Sequence, residues 1–205
     1  MEKLYILAHG FGFDDRYWDN FIDFLDPKDY VFYHENIEIP RGRRYIGVGH
    51  SLGYLKLNNS DIPFDCLISL QGFLNFCGND EKLRKIRLKY LDKTYKNFED
   101  DHKDALSKFI AETGYRGVFD ESATKINKND LLNDLRLLYS GYEHNKIKTL
   151  ALGSCDDEIV PMSLIYDNFE GLENVWINEV DGEMGHSLGY DEASQILDII
   201  DEFSK

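Results

Sequence analysis

Cysteine and proline are both scarce in this chain, with three and four copies in 205 residues. Cys66, Cys77 and Cys155 are odd in number and follow no spaced framework, which excludes a disulfide-stapled scaffold and points to a reducing compartment. Metal-type spacings such as C-x-x-C or H-E-x-x-H are absent, so neither a metal nor another cofactor is expected. No apolar run approaches the roughly 20 residues that span a bilayer. The N-terminus runs straight into an apolar strand rather than a three-part signal peptide, and the expectation is a cytoplasmic protein. Cations are also in short supply. Lysine and arginine number 23 against 38 acids, for a net charge of −15, which argues against nucleic acid and anionic membrane surfaces as partners. There are no internal repeats, linkers or low-complexity tracts.

What the chain does have is a substantial apolar and aromatic complement, 42% and 14%, enough for one folded domain with a real core. Nearly continuous apolar runs predict strands near 3–8, 30–33, 44–48, 65–70, 147–152 and 174–180. Such runs suit a mostly parallel sheet covered by helices on both faces, an α/β fold. Helices are predicted near 16–25, 51–59, 162–169 and 191–204. Between about 79 and 142 the strand signal disappears. That stretch reads as helices over 80–95, 98–112, 119–125 and 129–140, with Gly114 and Gly141 placed to close two of them.

The chemistry begins at Gly49-His50-Ser51-Leu52-Gly53, directly behind the apolar run 45–48. A strand running into G-x-S-x-G makes a turn so tight that its glycines cannot carry a Cβ, and the serine hydroxyl stands clear of the backbone. The pattern occurs twice, since Gly185-His186-Ser187-Leu188-Gly189 also fits. No histidine follows Ser187, whereas the order for this arrangement is serine, acid, histidine. Ser51 is followed by an acidic loop, Gly153-Ser154-Cys155-Asp156-Asp157-Glu158-Ile159-Val160-Pro161, and then by His186. Ser51 is therefore expected as nucleophile and His186 as base, with an aspartate orienting it. Counting back from Pro161 selects Asp157, counting forward from Gly153 selects Asp156, and Asp157 is preferred. The strand at 4–8 ends in His9-Gly10-Phe11-Gly12-Phe13, a loop able to aim a backbone N–H at an oxyanion. Phe11 and Leu52 are the expected donors. Phe13, Tyr54, Phe73, Leu74 and Phe76 are candidates for an acyl pocket, although core packing is the commoner fate of such residues.

With these parts in order, the chain resembles the α/β-hydrolase fold. More narrowly, it resembles the esterases that cleave the methyl ester of pimeloyl-acyl carrier protein in biotin synthesis. The opening Ala8-His9-Gly10-Phe11-Gly12-Phe13 followed by Trp18 looks like that group's H-G-[WF]-G opening, and Tyr95–Asp101 through Leu106, Phe109 and Gly114 is similar to its lid helices. The resemblance implies a single domain over 1–205, with 79–142 inserted as a helical lid above the serine. It also implies a sheet of about six strands without the group's N-terminal hairpin, and a serine carboxylesterase acting on a carrier-bound ester. A general short-chain carboxylesterase or thioesterase with the same three residues is the alternative.

Charge distribution supplies a partner expectation. Residues 82–96 carry seven cations and a single acid, Asp92, a net +6 that leaves −21 for the remainder. Lys82, Lys85, Lys89 and Lys93 fall on one helical stripe, and Leu83, Ile86, Tyr90 and Thr94 on the adjacent one, expected to face the sheet or the pocket. The lysine stripe is either a solvated face balanced by the acidic body or a landing strip for an acidic partner such as acyl carrier protein.

Overall fold

The computed structural model describes residues 2–34, 37–119, 126–182 and 185–205. Six strands form one sheet: β1 (Lys3–Ala8), β2 (Tyr30–Phe32), β3 (Arg44–His50), β4 (Cys66–Leu70), β5 (Thr149–Ser154) and β6 (Val175–Val180). Their order is β2-β1-β3-β4-β5-β6, and every pairing is parallel. All six lie where the apolar runs place them. The central strands are buried almost throughout, because helices cover both faces and no position can alternate toward water.

The helices are α1 (Asp19–Ile22), α2 (Leu52–Asn58), α3 (Glu81–Asp100), α4 (His102–Glu112), α5 (Lys128–Leu137), α6 (Met162–Phe169), α7 (Leu188–Asp191) and α8 (Ala193–Phe203). The expected helix over 16–25 is instead a 3-10 turn, Asp15–Trp18, followed by the single turn of α1. Its rings are core all the same. Tyr17, Trp18 and Phe21 are fully buried, and Trp18 meets Tyr17 edge-on at 5.1 Å between ring centroids.

The helical insert lies between β4 and β5, with boundaries displaced: α4 starts at His102 rather than near 98, and α5 ends at Leu137 rather than near 140. α3 continues to Asp100 rather than stopping near 95, because Phe98 is still on its buried stripe and the break is made by Asp101. The Asp101 carboxylate accepts from the N–H groups of Lys103 and Asp104, capping α4. Gly114 follows α4 at φ +74, as expected, whereas Gly141 is not left-handed. The helix expected over 119–125 lies, apart from Phe119, outside the described residues, and Phe119 is in no helix.

The expected inward face of α3 is corrected over its first half, whereas Tyr90 and Thr94 further along do border the pocket that holds Ser51. Leu83, Ile86 and Tyr90 are exposed, Ile86 by 64%. The buried positions are Leu91 and Phe98, with Leu88, Thr94 and Tyr95 partly covered. Eight residues separate Leu83 from Leu91, so the packed stripe lies about 80° round the helix from the predicted one. The side chains with most to bury sit in the second half of the helix and set its rotation, leaving the first half projecting.

Candidate active site

Ser51 sits between β3 and α2 in a backbone conformation that side-chain-bearing residues seldom adopt, φ 52 and ψ −122. The flanking glycines are sterically compelled. A Cβ on Gly49 would come within 2.4 Å of the Tyr54 backbone, and one on Gly53 within 2.1 Å of the Ala8 carbonyl oxygen. The second G-x-S-x-G makes no such turn. Ser187 keeps a negative φ (φ −141, ψ 30), opens α7 and donates its hydroxyl to Asp191.

Three side chains from separate parts of the chain meet at this turn. His186 Nε2 lies 2.9 Å from Ser51 Oγ, and His186 Nδ1 lies 2.7 Å from Asp157 Oδ2. All three are buried. The other carboxylate oxygen of Asp157 accepts the N–H groups of Ile159 and Val160 at 2.8 and 2.9 Å, which holds the carboxylate toward the imidazole. Asp156, the competing candidate, faces elsewhere and accepts the Gly185 N–H at 2.9 Å.

His50, inside the turn, is fully buried and stacked on Tyr17 at 4.3 Å. Burial, with His186 beside it, pushes its pKa well below the ordinary histidine value, so the ring is neutral. Its Nε2–H donates to the His186 carbonyl at 3.1 Å, and that bond assigns the tautomer.

From Gly185 to Leu188 the chain carrying His186 is held at almost every polar backbone group. Gly185 N–H reaches Asp156, and Gly185 C=O accepts from Gln71 Nε2 at 2.6 Å and Ser154 Oγ at 3.1 Å. His186 N–H donates to the Thr113 carbonyl at the end of α4 (2.8 Å), and Leu188 N–H donates to Gln71 Oε1 (3.0 Å). Sequence reasoning missed Gln71, Ser154 and Thr113. The available signal was a polar residue placed immediately after the apolar strand β4.

Phe11 and Leu52 both border Ser51, in a small apolar cavity also lined by Phe73, Phe76, Tyr90, Leu91, Thr94, Phe109, Leu135, Leu138 and Ile159. Leu52 is the first residue of α2, so its N–H has no acceptor within the helix. The turn bearing Phe11 is closed by Phe13 N–H donating to Gly10 C=O. Of the pocket candidates, Phe73 and Phe76 line this cavity. Phe13 borders a separate cleft with His9 and Asp14, Tyr54 packs on Phe169, and Leu74 faces a third depression. The cavity itself is about 20 Å³, room for about one water molecule.

Lys82, Lys85, Lys89 and Lys93 are all exposed on α3 and stand apart from the buried triplet. Lys85 is paired with Glu81 at 2.7 Å, the exposed i,i+4 geometry that contributes little. Arg87 on the same helix is half-buried over the Phe76 ring, and desolvation lowers its pKa. Among the described residues no cluster of His, Cys, Asp or Glu is arranged to hold a metal ion, and no helix is long and apolar enough to cross a membrane.

No family model and no curated protein matches the chain. Solved structures do. An esterase from Exiguobacterium antarcticum superposes with a TM-score of 0.71 at 12% identity, over 98% of this chain and 91% of the other. A lipase-esterase related protein from Clostridium acetobutylicum gives 0.70 at 14% identity, over 98% and 94%. A bromoperoxidase from Bacillus anthracis gives 0.71 at 15% identity, over 99% and 92%. This chain has the α/β-hydrolase fold. At such low identity the likeness establishes the architecture, and the chemistry has to be argued from the site itself.

Proposed function

We propose that the protein is a serine carboxylesterase. The observation that carries this reading is the continuous hydrogen-bonded line from Ser51 Oγ through His186 to Asp157, built on a turn that forces the serine into a strained conformation. Ser51 attacks an ester carbonyl while His186 Nε2 takes its proton. Asp157 keeps the imidazole in the required tautomer and stabilises the imidazolium. The N–H groups of Phe11 and Leu52 receive the oxyanion, an interaction typically worth about 3 kcal/mol per donor. The proton then passes from His186 to the departing alcohol, and water hydrolyses the acyl-enzyme.

The substrate proposed is the methyl ester of pimeloyl-acyl carrier protein. Support comes from α3, which projects its lysines together with exposed Leu83, Ile86 and Tyr90, while Tyr90 and Thr94 border the Ser51 cavity. A cationic face with an apolar centre suits an acidic carrier whose acyl arm must enter beside it. The small cavity favours the second reading, a short-chain esterase or thioesterase.

Turnover of pimeloyl-carrier-protein methyl ester beside a p-nitrophenyl ester series, with Ser51→Ala as blank, separates the two. Rapid carrier-ester hydrolysis that falls with salt is the expected result. Cleavage of small esters alone would leave the hydrolase and remove the carrier. Activity surviving in Ser51→Ala would sink both.

A further inference from the structure

We propose that Gln71 is a positioning residue for His186, acting on the base through the backbone of its loop; this rests on the serine-hydrolase reading above. Gln71 immediately follows β4, is fully buried and has φ 52. Glycine would occupy such a conformation without strain, and the glutamine at this position brings a side chain that a glycine would lack. That side chain makes three hydrogen bonds. Nε2 donates to the Gly185 carbonyl (2.6 Å) and to Ser154 Oγ (3.2 Å), and Oε1 accepts from Leu188 N–H (3.0 Å).

Gly185 and Leu188 bracket His186, so one planar amide ties the chain on both sides of the base. The amide's orientation is fixed by its neighbours. The reversed group would set an oxygen against the Gly185 carbonyl and an NH₂ against the Leu188 N–H. From the other side, Asp156 holds the Gly185 N–H at 2.9 Å and His50 donates to the His186 carbonyl. The imidazole therefore has little freedom in where it presents Nε2 to Ser51. A misplacement of about 1 Å at a reacting atom can cost about 100-fold in rate.

The test compares Gln71→Met, which keeps length and volume without hydrogen bonds, with Gln71→Glu. The latter retains an acceptor for Leu188 N–H but sets a carboxylate against the Gly185 carbonyl. Ile68→Val, a core truncation in the same strand, is the control for lost stability. Steady-state hydrolysis of p-nitrophenyl butyrate and the rate of fluorophosphonate labelling of Ser51 are measured on each folded variant. We expect kcat to fall about 10- to 100-fold in either Gln71 variant, with KM within about twofold, labelling slowed in parallel, and Ile68→Val at wild-type rate. Either variant keeping kcat within about twofold, or losing no more than the control, would overturn the role of Gln71 alone. A wild-type protein that neither labels nor turns over would overturn the hydrolase reading and this proposal with it.

Discussion

At the scale of single residues, two adjacent aspartates have been given different tasks by one step along the chain. Asp157 meets the imidazole, and Asp156 meets the backbone next to it. Asp157→Asn is expected to lower kcat by about four orders of magnitude, since an amide no longer holds the tautomer that accepts the serine proton. Asp156→Asn keeps an oxygen for the Gly185 N–H, and its kcat should stay within about tenfold; steady-state rates on one small ester decide both. The glycine requirement is equally local. Gly53→Ala would drive a Cβ into the Ala8 carbonyl, a backbone atom of a central strand that cannot step aside. Expression as soluble protein should be lost or the melting temperature should drop by several degrees.

At the scale of elements, α3 divides into two unlike halves. Ile86→Ser on the projecting half should leave the thermal midpoint within about a degree, because the side chain is largely in water already. Leu91→Ala on the packed half should cost about 2–4 kcal/mol in a denaturant titration. The sheet and the order of its six strands' sequence segments were readable in advance, since buried parallel strands advertise themselves as unbroken apolar runs. The serine turn was readable because its glycines are compelled by backbone contacts within a few residues. The rotation of α3 was not. A helix sequence with apolar residues on more than one face leaves its packed side to whichever large apolar side chains find a partner, here Leu91 and Phe98. Gln71 stayed hidden for a related reason. Its partners Gly185 and Leu188 lie more than a hundred residues away, and no spacing rule connects them.

For the whole molecule, the parallel arrangement brings His50, Gln71, Ser154 and the loop after β1 to the same end of the sheet, so the site is assembled from four strand ends. It also buries a histidine that is kept neutral. His50 has its pKa depressed by burial, and His9 is depressed for the same reason. At a pH above about 6.5 these rings are neutral folded or unfolded and contribute no pH dependence. Below it the unfolded chain takes up protons that the folded one refuses, so stability should fall by up to about 1.4 kcal/mol per pH unit per histidine. Thermal midpoints from pH 7.5 to 5.0 should show this decline, and it should be shallower in His50→Gln.

The cavity over Ser51, with room for about one water molecule, carries a kinetic consequence. In so narrow a space, a reagent larger than water needs the lining side chains, Tyr90 and Phe109 among them, to shift before it reaches Ser51. Covalent labelling should therefore speed up with reagent concentration only until opening becomes the slow step. Beyond that point the rate belongs to the protein alone, and chemically different reagents should converge on one common plateau.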